Sequence, residues 1–448
     1  MDIRACWRLA LVAVIVTAVP GCGGSAPGGH QPGAAAARPQ VSAMADISAG
    51  CAGNNSEVEE ATAAPGYVYA EWIGCGGIGF ARSSDAGRHF SAPATVPGSA
   101  GHSWDPALAV AADGTVYVAY MRSSGPLDKP ATSMYPVVAV SRDHGASFAP
   151  VHPVLPPHPG DWGDRDFIAV GQNGVLYLTW DYGPSAAQVK LLCIRSGSCA
   201  YSAGDFNAVI QTSRDGGQTW GPITHLEPGF PLGGGYSAPL TAGPDGGIYA
   251  LYEGHPTDPR SLQVRPGYEF FTSSRDGTHW LAAPARLWPG QGALALPDWW
   301  VDGDISADAA GNLYATWDTQ SAAGDIGWLT YSSDRGRTWS PPVRVTPDGT
   351  NAPHIVESAG GQPGVAYIAW QTSAPAQGYA TYLRPFSIEH GWLGSAITVS
   401  ARYGNASIWP GDTFGICVRP GGQVLMTWGS AVGTSKNSAI YSSVISTG

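Results

Sequence analysis

Carboxylates stand beside tryptophans at four places in the chain, a combination suited to contacts with polar, flat ligands. The four segments are Trp104-Asp105, Asp161 to Asp166, Asp298 to Asp304, and Gly411-Asp412. Carboxylates can accept hydrogen bonds or exchange protons in general acid–base catalysis, and an indole ring offers a flat apolar surface on which sugars stack. Residues two apart in a strand face the same way, so Asp164 with Asp166, and Asp302 with Asp304, are each predicted to point two acids in one direction.

The candidate site residues divide by chemical role. The acids and phenol that could act in catalysis are Asp164, Asp166, Asp302, Asp304, Tyr403 and Glu253. The residues that could contact a ligand are Arg165, Arg122, Arg402, Trp104, Asp105, Trp162, Trp299, Trp300 and Asp412. For each of them the alternative is structural, because Asp at a strand entry often caps loop amides and Trp beside it often packs between sheets.

Two interleaved repeats define the elements that must position these residues. The first is Gly-x-x-Tyr-x-x-Trp/Tyr, which occurs at 66–72, 114–120, 174–180, 246–252, 311–317 and 364–370, with a seventh copy at 422–428 that carries Leu425 at the Tyr position. An apolar run and a Gly-containing turn precede most copies, so each copy is predicted to form the second strand of a β-hairpin.

The second repeat is Ser-x-Asp-x-Gly-x-x-Trp/Phe. It occurs at 83–90, 141–148, 213–220, 332–339 and, one residue shorter, 274–280. This frame is the signature of the Asp-box, or BNR, repeat, and residues 40–448 resemble the sialidase-like β-propeller superfamily. The resemblance implies that the turns join the third and fourth strands of each blade, away from the ligand face. Asp85, Asp143, Asp215, Asp276 and Asp334 are therefore assigned no catalytic role.

Seven hairpins predict an all-β, seven-bladed β-propeller of four-stranded antiparallel blades. The last blade ends after three strands, and residues 40–48 are predicted to supply the missing outer strand, because an open edge invites aggregation. Classical sialidases of this superfamily have six blades, so the count departs from them. A ligand is expected at one end of the central channel, where the innermost strands begin.

The resemblance implies a demanding site if the protein is a sialidase: three arginines, a Tyr nucleophile activated by a Glu, and an Asp acid/base. The family's Phe-Arg-Ile-Pro segment has no match here. The arginines left for the ligand face are Arg122, Arg165, Arg260, Arg265 and Arg402, with Tyr236 or Tyr403 as the phenol and Glu253 as its partner. Three functions stay open: a sialidase-like propeller that binds and hydrolyses glycans, a non-catalytic interaction platform, and a glycosidase that uses paired Asp residues on neutral polysaccharide.

Composition excludes several other classes. The chain has 448 residues, a formal charge of −11, 61 Gly and 37 Pro, which favours β-structure and leaves no basic stripe for nucleic acid. It has no His-x-x-x-His zinc pair, nucleophile elbow or Walker loop. No cofactor is predicted; the alternative is a Ca²⁺ ion held by the acids at the channel mouth. A monomer is expected.

The N-terminus is predicted to be a targeting segment. Residues 1–21 read as a lipoprotein signal peptide that ends before Cys22, the expected lipidation site, and residues 22–39 read as a flexible tether. The globular domain spans 40–448. The chain is therefore expected to be exported, either anchored to the membrane through the lipid alone on its extracytoplasmic face or secreted.

Export permits disulfides. Cys193 is predicted to pair with Cys199 across a short loop, and Cys51 with Cys75, which leaves Cys417 as a free thiol. The alternative for both pairs is that they stay reduced.

Overall fold

The repeated hairpins build seven antiparallel sheets arranged around a central channel. The computed structural model describes residues 38–62, 66–127, 129–185, 190–195, 198–203, 206–226, 235–236, 238–254, 268–287, 303–319, 325–346, 353–372, 378–403, 408, 410–419, 421–433 and 435–447. At 173, 190–195, 198–203, 235–236, 268, 353–354 and 402–403 it describes the backbone alone. Residues 38–448 form one compact unit.

The first three blades follow two short N-terminal strands, β1 (Gln40–Val41) and β2 (Ala45–Asp46). Blade 1 contains β3 (Ser56–Ala61), β4 (Val68–Gly74), β5 (Gly77–Ser83) and β6 (Ala94–Thr95). Blade 2 contains β7 (Ser103–Val110), β8 (Val116–Ser123), β9 (Met134–Ser141) and β10 (His152–Pro153). Blade 3 contains β11 (Trp162–Val170), β12 (Leu176–Gly183), β15 (Asn207–Ser213) and β16 (Thr224–His225), with a 3-10 turn at Gln172–Gly174 and an inserted hairpin of β13 (Lys190–Arg195) and β14 (Ser198–Ala203).

The other four blades repeat this pattern. Blade 4 contains β17 (Gly235–Tyr236), β18 (Leu240–Ala242), β19 (Ile248–Gly254), β20 (Tyr268–Ser274) and β21 (Ala285–Arg286). Blade 5 contains β22 (Asp304–Ala307), β23 (Leu313–Thr319), β24 (Ile326–Ser332) and β25 (Val343–Arg344). Blade 6 contains β26 (Pro353–Gly360), β27 (Val365–Thr372), β28 (Tyr379–Ser387), β29 (Gly391–Trp392) and β30 (Ile397–Tyr403). Blade 7 contains β31 (Gly415–Val418), β32 (Val424–Ser430) and β33 (Ala439–Ser446).

The innermost strands close into a ring. The strands β3, β7, β11, β18, β22, β26 and β31 each contact the next one in this order, and β31 contacts β3. The prediction of an all-β, seven-bladed propeller is therefore confirmed.

The repeated aromatic residues of the second strands explain why the blades pack. Trp72, Tyr120, Trp180, Tyr252, Trp317, Trp370 and Trp428 are all fully buried. Each large ring removes roughly 150–250 Å² of surface from water, so one aromatic per blade contributes a large part of the apolar contact between sheets. The alternation of the repeat turns the Tyr to the opposite face from the Trp, so both neighbours of a blade are reached.

The five Ser-x-Asp-x-Gly turns lie between the third and fourth strands of blades 1 to 5 and share one hydrogen-bond pattern. The Ser hydroxyl donates to the Asp Oδ1 at 2.8–3.2 Å, and the Gly N–H donates to the Ser Oγ at 2.8–2.9 Å. The Gly residues adopt φ values of 73° to 86°, where other residues are strained. Blade 6 carries a diverged copy, Ser387 to Trp392, with Glu389 at the Asp position.

The N-terminal segment pairs with the last strand of blade 7. Gln40 and Val41 pair with Ser446 and Ile445, and Ala45 and Asp46 pair with Ser442 and Tyr441. Ile47 is 4% exposed and its N–H donates to the Ile440 carbonyl at 2.9 Å. The first residues of the domain therefore lie along the outer edge of blade 7.

The cysteines of blades 1 and 7 are described in full. Cys51 and Cys75 form a disulfide with a Cα–Cα distance of 4.6 Å, whereas Cys417 is a free thiol. Cys193 and Cys199 are Cα partners in the β13–β14 hairpin, but their side chains lie outside the described part of the chain. Within the described residues, no helix is long and apolar enough to cross a membrane.

Candidate functional site

In blades 1, 2 and 3 the innermost strand carries a β-bulge near its first residues. The register skips between Ser56 and Val58, between Trp104 and Ala107, and between Asp164 and Phe167. The residues in these bulges include Glu57, Asp105 and Arg165, whose φ angles are 53°, 44° and 47°. A bulge re-aims side chains, and positive φ costs a non-glycine residue about 1–3 kcal/mol, so the surrounding contacts must hold these conformations.

The bulged residues meet at one end of the channel. The Arg165 N–H donates to Asp105 Oδ2 at 2.9 Å, and its guanidinium Nη2 donates to Asp412 Oδ2 at 2.8 Å. The Trp104 Nε1–H donates to Asp164 Oδ1 at 2.6 Å. We call Glu57, Asp105, Asp164, Arg165 and Asp412 the acidic mouth, which joins blades 1, 2, 3 and 7.

Glu57 has an unusual protonation behaviour within the acidic mouth. Its side chain is buried, and this burial, together with the negative charge of Asp412, raises the pKa of Glu57 to about 8. The hydrogen bond with Asp105 and the charge of Arg165 offset part of this rise. The pKa of Asp105 is also raised well above its usual value, by burial and by the charges of Asp164 and Glu57. At neutral pH, Glu57 therefore carries a proton while Asp412 is ion-paired.

A cavity of about 160 Å³ continues from the mouth into the channel. Its lining includes Glu59, Asp304 and Glu357 as well as Arg165 and Asp412. Asp304 accepts hydrogen bonds from the Ser358 N–H at 2.8 Å and the Ser358 hydroxyl at 2.9 Å. Burial raises the pKa of Asp304, and burial with the charge of Asp304 raises that of Glu59. Arg165, the arginine of this lining, is already ion-paired with Asp412, so the cavity offers an anion little attraction.

The structure brings several predicted site residues together. Trp104, Asp105, Asp164, Arg165 and Asp412 all belong to the mouth or touch it, and Asp304 lines the cavity below. Trp162 is half-buried and packs against Phe206 with a ring-centroid distance of 5.0 Å. The ring of Trp162 thus contributes to packing within blade 3.

Three other predicted residues do not line this cavity. Asp164 and Asp166 were expected to point the same way, but the bulge between them breaks the strand alternation. Asp166 is 3% exposed, and neither of its carboxyl oxygens has a hydrogen-bond partner among the described residues. Glu253 is 3% exposed and lies on β19 of blade 4, where it pairs with Glu269 of β20. Arg122 lies on β8, the second strand of blade 2, where it pairs with Ser103 of β7.

Other predicted residues fall outside the described part of the chain. Asp302, Trp299, Trp300 and Cys22 lie outside the described residues, and so do the side chains of Arg402 and Tyr403. Of the arginines whose side chains are described, Arg165 is the one that lines the channel cavity. Among the described residues, no group of three or more His, Cys, Asp or Glu side chains has the arrangement of a metal site.

Sequence reasoning missed Glu57 and Glu59. Both belong to the segment Ser-Glu-Val-Glu-Glu-Ala, the innermost strand of blade 1. The signal was present, because alternate Glu residues in a strand that lines a channel must face it or be buried. Trp residues mark the other acidic segments, and none stands beside these glutamates.

The fold and the site define the chain as a seven-bladed β-propeller with an acidic channel mouth. No protein-family model matches the sequence, and no curated protein matches it. The polysaccharide lyase Uly1 has a similar structure, with a TM-score of 0.52 and 13% identity over 89% of this chain and 91% of the lyase.

A protein of unknown function from Dyadobacter fermentans DSM 18053 is also similar, with a TM-score of 0.51 and 14% identity over 77% of this chain and 94% of that chain. The NanB sialidase from Streptococcus pneumoniae gives a TM-score of 0.49 and 10% identity over 79% of this chain and 69% of the sialidase. At these identities the likeness shows the fold alone.

Proposed function

We propose that the acidic mouth binds a neutral glycan and hydrolyses a glycosidic bond in it. The observation that carries this proposal is the pairing of two carboxyls in different protonation states. Glu57, with its pKa near 8, holds a proton at neutral pH, whereas Asp412 forms an ion pair of 2.8 Å with Arg165. Glycoside hydrolases need such a pair: one acid protonates the leaving oxygen, and the ionised partner acts as nucleophile or as base toward water.

The charge of the mouth favours a neutral sugar over a sialic acid. Arg165 already donates to Asp412 at 2.8 Å and is surrounded by Glu57, Asp105 and Asp164. A substrate carboxylate would have to displace Asp412 and would approach other carboxyls at close range. Sugar hydroxyls can instead donate to these carboxylates without a charge penalty.

The test uses a panel of neutral glycosides and oligosaccharides, with sialosides beside them. Wild-type turnover of a neutral substrate is expected, with kcat at least about a hundredfold lower in Glu57→Gln and Asp412→Asn, because general acid catalysis contributes about 10²–10⁴ in rate. Glu389→Gln, an exposed change in the turn of blade 6, serves as the control and should keep full activity.

Other outcomes would assign another function. Turnover of sialosides in preference to neutral sugars would contradict the proposal and favour the sialidase-like activity. No turnover and no binding on a glycan array would favour the alternative of a protein-interaction platform in the cell envelope.

The proposed setting follows from the N-terminal sequence. We propose that the chain is exported and anchored through Cys22, which would present the propeller to extracellular glycans as a monomer. Labelling of wild-type cells with a palmitate analogue, lost in Cys22→Ala, would support the anchor; labelling that persists in the variant would contradict it.

A further inference from the structure

A second polar cavity lies where the ring of blades closes. Its volume is about 420 Å³, and it is lined by the N-terminal segment, by Gly87 and Arg88 of blade 1, and by Arg419, Gln423 and the end of β33 in blade 7. Gly87 follows the third strand of its blade and Arg419 follows the innermost strand, so both lie at the end of the propeller opposite the acidic mouth. The cavity is therefore separate from the proposed glycan site.

Arg419 is the distinctive residue of this cavity. The residue is 6% exposed, and its Nε has no hydrogen-bond partner within the described part of the chain. The same residues provide no carboxylate at ion-pair distance for its guanidinium. A buried charge without a partner costs several kcal/mol, so a position of this kind normally receives a counter-charge.

The nearest charges do not supply that partner. Arg88 repels the Arg419 guanidinium, and burial together with this repulsion lowers the pKa of Arg419. Asp85 attracts it, but the Asp85 carboxylate is held within its own turn: Oδ1 accepts from Ser83 and from the His89 N–H, and Oδ2 contacts His89 Nδ1 at 2.6 Å. Asp85 therefore satisfies its own turn instead of Arg419.

We propose that this closure cavity binds a small oxyanion, a sulfate, phosphate or carboxylate group, between Arg419 and Arg88. The planar guanidinium of an arginine matches such groups with two parallel hydrogen bonds. Serine residues at 42, 442, 443 and 446 line the wall. The Ser42 and Ser443 hydroxyls donate to the Ala43 and Ser42 carbonyls, so Ser442 and Ser446 are the neutral donors offered to an anion. A bound anion would touch the N-terminal segment, blade 1 and blade 7 together, so it would stabilise the point of ring closure.

The first test compares thermal unfolding in sulfate, phosphate and acetate with unfolding in chloride at equal ionic strength. The wild type should gain stability from at least one oxyanion beyond the effect of chloride, and the three salts separate tetrahedral anions from carboxylates. Arg419→Gln should abolish the gain, and Arg88→Gln should weaken the apparent affinity about tenfold. Arg82→Gln is the matched control, because Arg82 lies in the same blade and already donates to the His144 carbonyl at 2.9 Å. An equal gain in wild type and Arg419→Gln would overturn the proposal.

A second measurement covers the case in which Arg419→Gln fails to fold. Arg88 is exposed, so Arg88→Gln should fold, and calorimetric titration with the effective oxyanion should show its weaker binding. Crystals of the wild type soaked in selenate should show an anomalous peak within hydrogen-bond distance of the Arg419 guanidinium. Unchanged affinity in Arg88→Gln, or a soaked crystal without that peak, would overturn the proposal. Glycan turnover reports on the other end of the propeller and is expected to be unchanged in Arg88→Gln.

Discussion

Arg165 and Asp412 are 247 residues apart in the chain, yet their side chains form an ion pair of 2.8 Å across the channel. Arg165 belongs to the innermost strand of blade 3, and Asp412 directly precedes that of blade 7. The two side chains are 11% and 15% exposed, so the pair is largely withdrawn from water. It neutralises one carboxylate within a group of several and links opposite sides of the ring.

Removal of Arg165 should destabilise the fold strongly. In Arg165→Met, Asp412 and its acidic neighbours lose their cation, and a broken buried pair costs about 3 kcal/mol of unfolding free energy. Urea denaturation at pH 8 should show this loss, which should be smaller at pH 5, where Glu57 is protonated in the folded state of both the wild type and the variant. Arg335→Gln breaks a more exposed pair with Asp245, at 3.3 Å, and should change stability by less than about 1 kcal/mol. Equal losses in the two variants would contradict a special role for the Arg165 pair.

Stability should fall as the pH rises from about 5 to 8. The pKa values of Glu57 and Glu60 are raised to about 8, and those of Glu71 and Asp166 are also raised, with burial as the first cause in each case. Such groups bind protons in the folded state that the unfolded chain has released above about pH 4.5, so unfolding releases protons in this window. Denaturation curves measured at pH 5, 6, 7 and 8 test the trend. Stability that increases over this range would contradict it.

Glu71→Gln isolates one contributor to that trend. Glu71 is 0% exposed, and neither carboxyl oxygen has a hydrogen-bond partner within the described residues, so a neutral amide of the same shape removes the titration. The slope of unfolding free energy against pH should decrease by about 1.4 kcal/mol per pH unit above pH 5. Glu389→Gln changes an exposed glutamate and should leave the slope unaltered.

The turns at the other end of the propeller should respond to acid in the opposite direction. Hydrogen bonds from Thr219 and Ser213 hold the pKa of Asp215 at about 2, so its contribution is present above about pH 4 and is lost below that value. Asp215→Ala should lower the unfolding free energy by about 1 kcal/mol at pH 6, whereas Asp215→Asn keeps an acceptor and should lose less. Neither variant should alter glycan turnover. A loss of turnover with unchanged stability would contradict the structural role of this turn.

Loss of the N-terminal segment should expose an edge of blade 7. A chain that begins at residue 49 lacks the pairs of β1 and β2 with β33 and the buried Ile47 side chain. We expect a loss of about 3 kcal/mol and aggregation, because the bared strand leaves unpaired backbone groups. Thermal unfolding with light scattering measures both effects, and a chain that begins at residue 38 is the control. Identical melting of the two chains would show that the pairing adds nothing to stability.

The sequence by itself determined the architecture, because the features that specify it are local and repeated. The Gly-x-x-Tyr-x-x-Trp strands and the Ser-x-Asp-x-Gly turns each form through contacts within about ten residues, and seven copies of the hairpin make the blade count readable. Each copy also carries its own interface residue, the aromatic that the structure buries between blades.

Only the tertiary structure decided which acids share a site. Glu57, Asp105, Arg165 and Asp412 come from four blades, and nothing in their local sequence states how the strands are registered across the channel. The bulges determine which side chains face the channel, because a single unpaired residue reverses the direction of the side chains that follow. Regular alternation grouped Asp164 with Asp166, whereas the bulged strand buries Asp166 and hydrogen-bonds Asp164 to Trp104. The protonation of Glu57 likewise depends on burial and on a charge 355 residues away in sequence, at Asp412, which exists only in the closed ring.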